Sequence, residues 1–418
     1  MKSHTPRFAA FLIGSVFACS CSSDKSSGPR DGGNDGGSDA GAGPVLRVAT
    51  FNAGLLDSVG YVPQRAPLVA KALGALDVDV LCVQEAWQAE DWTAIASANK
   101  SKRPHTLYLD PKPGAVGKCG SDEFVPLEAC AKELCGDADA SSLVSCTTVM
   151  CPDEVAALSG ACIQCLLDNA SSGDFAAIGL ACVGAGGGAA DAGAPSPDDR
   201  AYLLGGSFGV GLLSSLPLTE TDSLVLDSST NRRAILYAKI NDPRLGTIHT
   251  FCTHLGPIEN GVKYEGSFDS WEGENAAHVK ALVDWAKEKT GGDGQVLLLG
   301  DFNTGPAGKQ IAPSVPDNYA QLPKAGFVDP FLDGPNASCT YCKDNALVIQ
   351  DDAAADAAID HIMTRGLTAK IDAVRILTDD VEIDPNAAMQ AQDGGAADAG
   401  QKRIPLSDHY GLQAAIGQ

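Results

Sequence analysis

The chain has 418 residues, of which 44% are apolar and 20% are charged, and its formal net charge is −23. This apolar fraction excludes a disordered chain and is sufficient for a sizeable core. Proteins that bind nucleic acids tightly normally present a basic face to the phosphates, so the acidic balance argues against tight nucleic-acid binding.

The first eighteen residues read as a signal peptide. Two basic residues precede an apolar run from Phe8 to Ala18, which is too short for a permanent membrane span of about 20 residues. The stretch Val16-Phe17-Ala18-Cys19 resembles a bacterial lipobox, which predicts cleavage before Cys19 and attachment of lipid to its thiol, with Cys21 as the alternative acceptor. The other interpretation is an ordinary secretory signal. We therefore expect an exported protein, held at the outer or cell-surface membrane of a bacterial envelope by its lipid, or otherwise secreted.

Residues 19–43 are predicted to form a lipidated cysteine followed by a flexible tether. From residue 22 onward this stretch contains no aliphatic side chain larger than that of alanine, so it cannot form a core. A Gly-rich chain of this length has a root-mean-square reach of about 25 Å, enough to hold a folded domain clear of a membrane. Residues 44–418 are predicted to be that domain.

Short apolar runs alternate with helical patterns from Val45 onward, which predicts an α/β sandwich with sheets covered on both faces. Possible caps at Asp269 and Ser270 begin the longer helix, which ends before Gly291. Predicted strands cover residues 45–52, 78–85, 207–214, 233–240, 246–254, 295–301, 358–364, 370–377 and 409–416, and predicted helices cover residues 65–76 and 272–289.

Residues 111–200 interrupt this pattern and hold eight of the fourteen cysteines. Six of the eight form two series with a spacing of sixteen residues, and helix-start signals recur between them, which predicts three or four short, cross-linked helices. Clustered cysteines can also bind zinc, but this segment has no histidine, and disulfides persist in an exported chain. We therefore predict four disulfides of open connectivity. The eight residues are Cys119, Cys130, Cys135, Cys146, Cys151, Cys162, Cys165 and Cys182.

Four further cysteines lie in the predicted domain. Cys339 and Cys342 form a C-x-x-C motif, which in this setting favours a structural disulfide over redox work. Cys82 and Cys252 lie inside apolar strands and are predicted to be small buried hydrophobic residues. Low-complexity stretches at 184–199 and 392–400 are predicted surface loops.

Polar side chains stand at the boundaries of several predicted strands. In a mixed sheet, the end of one strand and the start of its antiparallel neighbour lie at the same edge, so such groups can converge on one site there. The set comprises Asn52, Glu85, His254, Asp301 and Asn303 at strand ends and Asp360 and His409 at strand starts.

These residue types suit metal-assisted phosphoryl chemistry. Glu85 and Asp408 offer the hard oxygen ligands that Mg²⁺ prefers. Asp301 and Asn303, at positions i and i+2 of an extended chain, are predicted to point the same way, one orienting the attacking water and the other donating to a phosphate oxygen. A histidine exchanges protons near neutral pH, and a carboxylate such as Asp360 would fix its tautomer and strengthen it as a base.

Seven short motifs carry these residues in one order along residues 45–416, apart from the insertion. They are Thr50-Phe51-Asn52, Val83-Gln84-Glu85, Gly209-Val-Gly-Leu-Leu-Ser-Ser-Leu-Pro217, Thr253-His254-Leu255, Gly300-Asp301-Phe302-Asn303, Ile359-Asp360-His361-Ile362 and Ser407-Asp408-His409. In content and order they resemble the endonuclease/exonuclease/phosphatase superfamily, which has the DNase I-like fold. Any one motif alone would be a weak signal.

The resemblance implies a four-layer sandwich of two mixed β-sheets flanked by helices, here with a Cys-rich helical insertion. It also implies a divalent cation, Mg²⁺ first, with Mn²⁺ or Ca²⁺ as alternatives. Glu85 would be the main metal ligand, with Asn52 and Asp408 as its neighbours.

The resemblance also assigns catalytic roles. His409 would be the general base held by Asp360, and His254 the acid on the phosphate side or a donor to the transition state. Asp301 and Asn303 would bind the water and the phosphate.

The leading hypothesis is a phosphoesterase that hydrolyses a phosphodiester, such as a phospholipid head group, at or near a membrane. The Thr253-His254-Leu255 pattern resembles both sphingomyelinase-like and nuclease branches, so an extracellular DNase-like nuclease is the alternative. Arg233 would contact the phosphate, or else form a surface salt bridge. A catalytically silent surface binding protein is a third hypothesis. The intact Glu85, Asp301, Asp408 and both histidines argue against it, because a retired site has no need to keep uncompensated carboxylates together.

Overall fold

The computed structural model describes residues 45–56, 59–136, 143–169, 175–183, 200–259, 262–348, 355–384 and 401–418. The predicted signal peptide, the lipidated cysteine with its tether, and both low-complexity loops lie outside these residues. Within them, no helix is long and apolar enough to cross a membrane.

Nine strands of the described residues overlap the predicted apolar runs, and four more, at 105–108, 218–226, 381–383 and 402–404, lie outside them. In chain order the strands are β1 (Leu46–Asn52), β2 (Val80–Gln84), β3 (His105–Tyr108), β4 (Gly211–Ser214), β5 (Leu218–Leu226), β6 (Arg233–Asp242), β7 (Gly246–His254), β8 (Gln295–Asp301), β9 (Asp360–Arg365), β10 (Thr368–Ile376), β11 (Val381–Ile383), β12 (Lys402–Ile404) and β13 (Gly411–Gly417).

The helices include both predicted ones and several more. They are α1 (Val62–Ala75), α2 (Ala89–Asn99), α3 (Ser121–Leu134), α4 (Leu143–Met150), α5 (Pro152–Ala156), α6 (Gly160–Asn169), α7 (Phe175–Cys182), α8 (Trp271–Thr290), α9 (Pro316–Tyr319) and α10 (Gln321–Lys324). The predicted cap of α8 is confirmed, since the Ser270 side chain accepts a hydrogen bond from the Gly273 amide, and Gly291 ends the helix in the left-handed conformation.

Two mixed sheets make up the body of the fold. One has the order β10-β13-β1-β2-β4-β3 and the other β5-β6-β7-β8-β9, while β11 and β12 form a separate ribbon. Strand β1 runs parallel to β2, and β7 runs parallel to β8, whereas β13 and β9 are antiparallel to β1 and β8. The ends of the parallel strands and the starts of β9 and β13 therefore lie at matching edges of the two sheets.

The sheets pack face to face and carry helices on their outer faces. Alternate residues of β1 point to opposite sides, with Val48 in the core between the sheets and Phe51 in the core beneath α1 and α2. Helix α8 covers the other sheet through a cluster that includes Val279 and Leu282. This arrangement confirms the predicted four-layer sandwich of two mixed sheets flanked by helices.

The Cys-rich insertion is helical, as predicted, but it has five described helices rather than three or four. Helices α3 to α7 enclose a small core of their own, in which six of the eleven buried residues are disulfide-bonded cysteines. The predicted number of disulfides is confirmed, and the pairs are Cys119–Cys162, Cys130–Cys151, Cys135–Cys146 and Cys165–Cys182.

The prediction of two independent buried cysteines on β2 and β7 is wrong in one respect. Cys82 and Cys252 are fully buried, as expected, but they form a disulfide with each other. These strands belong to different sheets, and their inward faces meet in the central core, so the pairing depends on sheet packing that neither strand reveals alone. The predicted disulfide between Cys339 and Cys342 is present. Six disulfides among the described residues fit an exported protein.

Candidate active site

The polar residues at the strand boundaries lie side by side at one edge of the sandwich. In the second sheet, His254 at the end of β7 is opposite Asp301 at the end of β8, which in turn is opposite Asp360 at the start of β9. In the first sheet, Asn52 ends β1, and Glu85 follows β2 with a φ of 55°. This left-handed backbone is uncommon for a residue with a side chain and marks the point where the chain leaves the sheet.

Asn52 connects the two sheets across the mouth of the site. Its Nδ2 donates to Glu85 Oε1 at 3.1 Å and to Asp301 Oδ2 at 2.9 Å. Its Oδ1 accepts the Gly54 amide at 3.0 Å, which occupies one of the two lone pairs of that oxygen. The amide group therefore holds both carboxylates in place and keeps one acceptor position available.

Two histidines flank the Asp301 carboxylate. His254 Nε2 lies 3.4 Å and His409 Nε2 lies 3.9 Å from Asp301 Oδ2. The other nitrogen of His409, Nδ1, is 2.8 Å from Asp360 Oδ2. His254 Nε2 is also 3.9 Å from Glu85 Oε1, so the residues of both sheets form one continuous cluster.

Burial and the neighbouring charges shift the protonation of this cluster. Burial lowers the pKa of His409, but Asp360, Asp408 and Asp301 outweigh it and raise the pKa well above its ordinary value. Burial raises the pKa of Asp301, yet the two histidines and the amide of the Asn52 side chain hold it well below its usual range. Asp301 is therefore ionised.

The pKa of His254 is shifted in the opposite direction to that of His409. Burial lowers its pKa, and the Arg233 guanidinium lowers it further against the pull of Asp301. The ring is therefore neutral and carries a single N–H, which can act as a hydrogen-bond donor.

The prediction of an extended chain from Asp301 to Asn303 is wrong. Asn303 has a φ of 52°, and its amide N–H donates to Asp301 Oδ1 at 2.8 Å. Its side-chain Nδ2 donates to the Leu255 carbonyl at 2.9 Å. The chain turns as soon as β8 ends, because the Asp301 side chain captures the backbone two residues ahead, a preference of aspartate that alternation along a strand does not reveal.

Asp408 completes an acidic group with Glu85. A side chain at Gly54 would place its Cβ 2.4 Å from Asp408 Oδ1, so the loop after β1 packs directly on this carboxylate. Burial and the negative charge of Glu85 raise the pKa of Asp408, against His409 and Arg65. Burial is the largest cause of this raised pKa, and the charge of Glu85 adds to it.

The donor set of Glu85, Asp408 and Asn52 fits a hard divalent cation. Two carboxylates and one amide oxygen match the oxygen ligands of Mg²⁺, which needs only one or two carboxylates. The nearby Arg65 does not take the place of a cation, because its guanidinium donates to the backbone carbonyls of the segments that flank the site. It holds those segments together.

A second group of possible ligands overlaps the site. Asp301, Asp360 and His409 present ligand atoms within 4.8 Å of one another. His409 Nδ1 is hydrogen-bonded to Asp360 Oδ2, and Asp301 Oδ2 accepts from Asn52, so we interpret this group as a hydrogen-bonded pair beside a separate carboxylate. In a third group the two cysteines, Cys130 and Cys151, are joined by a disulfide, which leaves no thiolate for a metal.

Trp87 is a site residue that the sequence did not single out. Its Nε1 donates to Glu85 Oε2 at 3.4 Å, and its ring centroid lies 6.1 Å from that of His254. Gly209, with a φ of 59°, makes room for it, since a Cβ there would lie 2.4 Å from the indole. The start of the predicted strand at 207 is therefore wrong, because the chain bends around this indole before β4 begins.

Arg233 begins β6 beside the same indole, with its Cζ 5.5 Å from the ring centroid. The side chain is buried, which excludes the alternative of a surface salt bridge. Its Nη1 has no hydrogen-bond partner among the described residues. A buried guanidinium with an unused donor is the kind of group that an anionic substrate would satisfy.

Comparisons with known proteins agree with this architecture. The model of the Endonuclease/Exonuclease/phosphatase family matches residues 49–409. No curated protein matches the sequence.

Several solved structures share the fold at low identity. A beta toxin from Staphylococcus aureus has a TM-score of 0.51 and 15% identity, covering 88% of this chain and 99% of its own. A beta toxin double mutant from the same organism, with bound magnesium ions, has a TM-score of 0.50 and 16% identity, covering 90% of this chain and 100% of its own. Sphingomyelinase C from Streptomyces griseocarneus has a TM-score of 0.49 and 14% identity, covering 89% of this chain and 99% of its own. With the family model matched over most of its length, the chain belongs to the endonuclease/exonuclease/phosphatase family.

Proposed function

We propose that the protein is a divalent-metal-dependent phosphoesterase that hydrolyses a phosphodiester, with His409 as its general base. The observation that supports this most directly is the pair of histidines on either side of Asp301, one of them held by Asp360. A base and a hydrogen-bond donor on one ionised carboxylate are the groups that attack of water on a phosphate requires.

Glu85, Asn52 and Asp408 would hold the cation, and Mg²⁺ is the first candidate. The beta toxin double mutant, which shares the fold, is described with bound magnesium ions. When bound, the cation would act as a Lewis acid that offsets charge on the phosphoryl oxygens.

His409 would take the proton of the attacking water once a bound cation offsets the charge of Asp408 and so lowers the raised pKa of the ring. Its Nδ1 faces the Asp360 carboxylate, which places the proton of the neutral ring on that atom and leaves Nε2 as the acceptor. Asp301, ionised and 3.9 Å from Nε2, would orient the water by accepting its other hydrogen. Asp360 then stabilises the imidazolium that forms.

His254 and Arg233 would bind the phosphate. Because the pKa of His254 is lowered, we assign it the role of a hydrogen-bond donor to a phosphate oxygen rather than that of a proton source. The unused Nη1 of Arg233 would donate to the same group. Asn303 keeps one amide hydrogen beyond its bond to Leu255, which would reach a phosphate oxygen or the water.

For the substrate we propose a phospholipid head group, in the manner of a sphingomyelinase. The predicted lipid anchor and tether would hold the site near a membrane, and the net charge of −23 opposes the approach of DNA. An extracellular DNase-like nuclease remains the alternative function.

The test compares substrates with and without metal. The mature protein is assayed with Mg²⁺ against sphingomyelin vesicles, plasmid DNA and bis(p-nitrophenyl) phosphate, before and after chelation. We expect hydrolysis of the lipid and of the chromogenic diester, lost with chelator and restored by Mg²⁺. Faster cleavage of DNA than of lipid would favour the nuclease. If no substrate is hydrolysed, the enzyme proposal fails, and a surface binding protein remains.

A further inference from the structure

The disulfide between Cys339 and Cys342 closes a tight loop that lies against Asp360 and His409, the pair that contains the proposed general base. The two residues inside this loop are Thr340, which is fully buried, and Tyr341. Thr340 Oγ1 accepts the amide N–H groups of Ile359 and Asp360, each at 3.1 Å. One hydroxyl thus fixes the backbone at the point where Asp360 enters β9.

Tyr341 contacts the other member of the pair. Its ring centroid lies 5.0 Å from that of the His409 imidazole, at an interplanar angle of 55°. The backbone of Tyr341 pairs with Ala357 on one side, and the Thr340 carbonyl accepts the Tyr410 amide at 2.8 Å on the other. The loop therefore contacts the segment that carries Asp360, which leads into the second sheet, and the segment that carries His409, which leads into the first sheet.

Two further contacts hold the loop in place. Arg375 Nη1 donates to the Cys339 carbonyl at 3.1 Å, and Asn345 Nδ2 donates to the Ser407 carbonyl at 2.9 Å. The second bond ties the chain just after the loop to the segment that carries Asp408 and His409.

The disulfide restrains the backbone between its two ends. Cys342 is fully buried, whereas Cys339 is partly exposed. The bond therefore restricts the conformations of Thr340 and Tyr341.

We propose that the loop closed by Cys339 and Cys342 is a positioning element for the general base, in which Thr340 fixes Asp360 and Tyr341 fixes the plane of the His409 ring. This inference rests on the proposed function, in which His409 accepts the proton of water. Small displacements of a catalytic group lower the rate of the chemical step more than they weaken substrate binding, so the effect belongs in kcat.

The test uses a pair of substitutions at one position. Thr340→Val keeps the shape of the side chain but removes the hydroxyl, while Thr340→Ser keeps the hydroxyl. With bis(p-nitrophenyl) phosphate and Mg²⁺, we expect Thr340→Val to lower kcat by about 10-fold or more with KM within about 2-fold, and Thr340→Ser to stay within about 3-fold of the native kcat. Thr147→Val is the matched control, because it removes a buried hydroxyl that donates to the Leu143 carbonyl inside the insertion, and its kcat should not change.

Further variants test the ring contact and the disulfide. Tyr341→Leu and the double variant Cys339→Ala/Cys342→Ala should each lower kcat and leave KM near its native value. They also keep the proposal testable if Thr340→Val does not fold. A native kcat in Thr340→Val or in Tyr341→Leu, equal losses in Val and Ser at position 340, or a loss confined to KM would overturn the proposal.

A readout that does not depend on activity separates this proposal from the proposed function. Amide hydrogen exchange at Ile359 and Asp360 should be faster in Thr340→Val than in the native protein or in Thr340→Ser. If the native protein hydrolyses no phosphodiester, the proposed function fails, whereas exchange measurements still decide whether the loop fixes Asp360. Unchanged exchange at both amides would refute the positioning role by itself.

Discussion

Removing the disulfide between the two sheets should cost more stability than removing any short-range disulfide of the protein. The perturbation is the double substitution Cys82→Ala/Cys252→Ala. The two residues are 170 positions apart in sequence, and both are fully buried between the sheets. The bond therefore restricts a very long loop of the unfolded chain.

The magnitude follows from the entropy of that loop. Closing about 170 residues is worth about 5 kcal/mol at 25 °C in the chain-entropy description. The disulfides Cys119–Cys162 and Cys165–Cys182 lie within this loop and shorten it to about 110 residues, which lowers the value by only about 0.4 kcal/mol because the dependence is logarithmic. By the same relation, the disulfide Cys339–Cys342, with a separation of 3, is worth only about 1.5 kcal/mol.

The assay is equilibrium unfolding in urea, followed by circular dichroism without reductant. The free energy of unfolding in water is compared for the native protein, Cys82→Ala/Cys252→Ala and the control Cys339→Ala/Cys342→Ala. We expect the first variant to lose about 3 kcal/mol more than the control. Equal losses, or a larger loss in the control, would refute the argument from loop length.

Three other outcomes follow from the site and its surroundings. His409→Asn should lower kcat for bis(p-nitrophenyl) phosphate by about 10² or more, since proton transfer to a placed base commonly contributes 10²–10⁴, and a near-native rate would remove His409 from the mechanism. Burial lowers the pKa of His278 to about 4. As the pH falls, this imidazole is therefore protonated in the unfolded chain at a higher pH than in the folded protein. The free energy of unfolding should fall by about 3 kcal/mol as the pH drops from 6.5 to 4. His278→Gln can form the same two hydrogen bonds but cannot be protonated, so its free energy of unfolding, measured in urea at each pH, should depend less on pH. The same pH dependence in the variant and the native protein would contradict this role of His278. Gly209→Ala should destabilise the fold by about 2–4 kcal/mol, because the added methyl group clashes with Trp87. Gly246 is also left-handed but has open space around it, so Gly246→Ala should cost only about 1 kcal/mol. Equal shifts in melting temperature for the two variants would contradict the clash.

The sequence predicts which strand ends converge better than it predicts the less apolar elements of the scaffold. Asn52, His254 and Asp301 can be found because each ends a short apolar run, and a polar residue at a strand end is visible without any tertiary information. The edge strand β5 was not predicted because most of its residues are exposed and polar, so it lacks the apolar pattern of a buried strand. Helix α2 has a short apolar face and was missed for a similar reason.

Other features depend on contacts between distant segments. Trp87 lies next to His254 because β2 and β7 meet across the central core, and Thr340 reaches Asp360 through a loop with no regular structure. The disulfide Cys82–Cys252 likewise depends on contact between distant segments. A signal for Trp87 did exist, since it follows Glu85 by two residues and Gly209 leaves space for its ring.

The disulfide pattern also bears on how the protein is made. The insertion pairs its eight cysteines among themselves, so it can oxidise as soon as it emerges. Cys82 emerges before all of them, and its partner Cys252 after all of them. If Cys82 paired with a cysteine of the insertion while the chain emerges, that bond would have to be exchanged before Cys82 could pair with Cys252. Both residues of the native bond are buried once the two sheets have closed, so the exchange has to take place before that step.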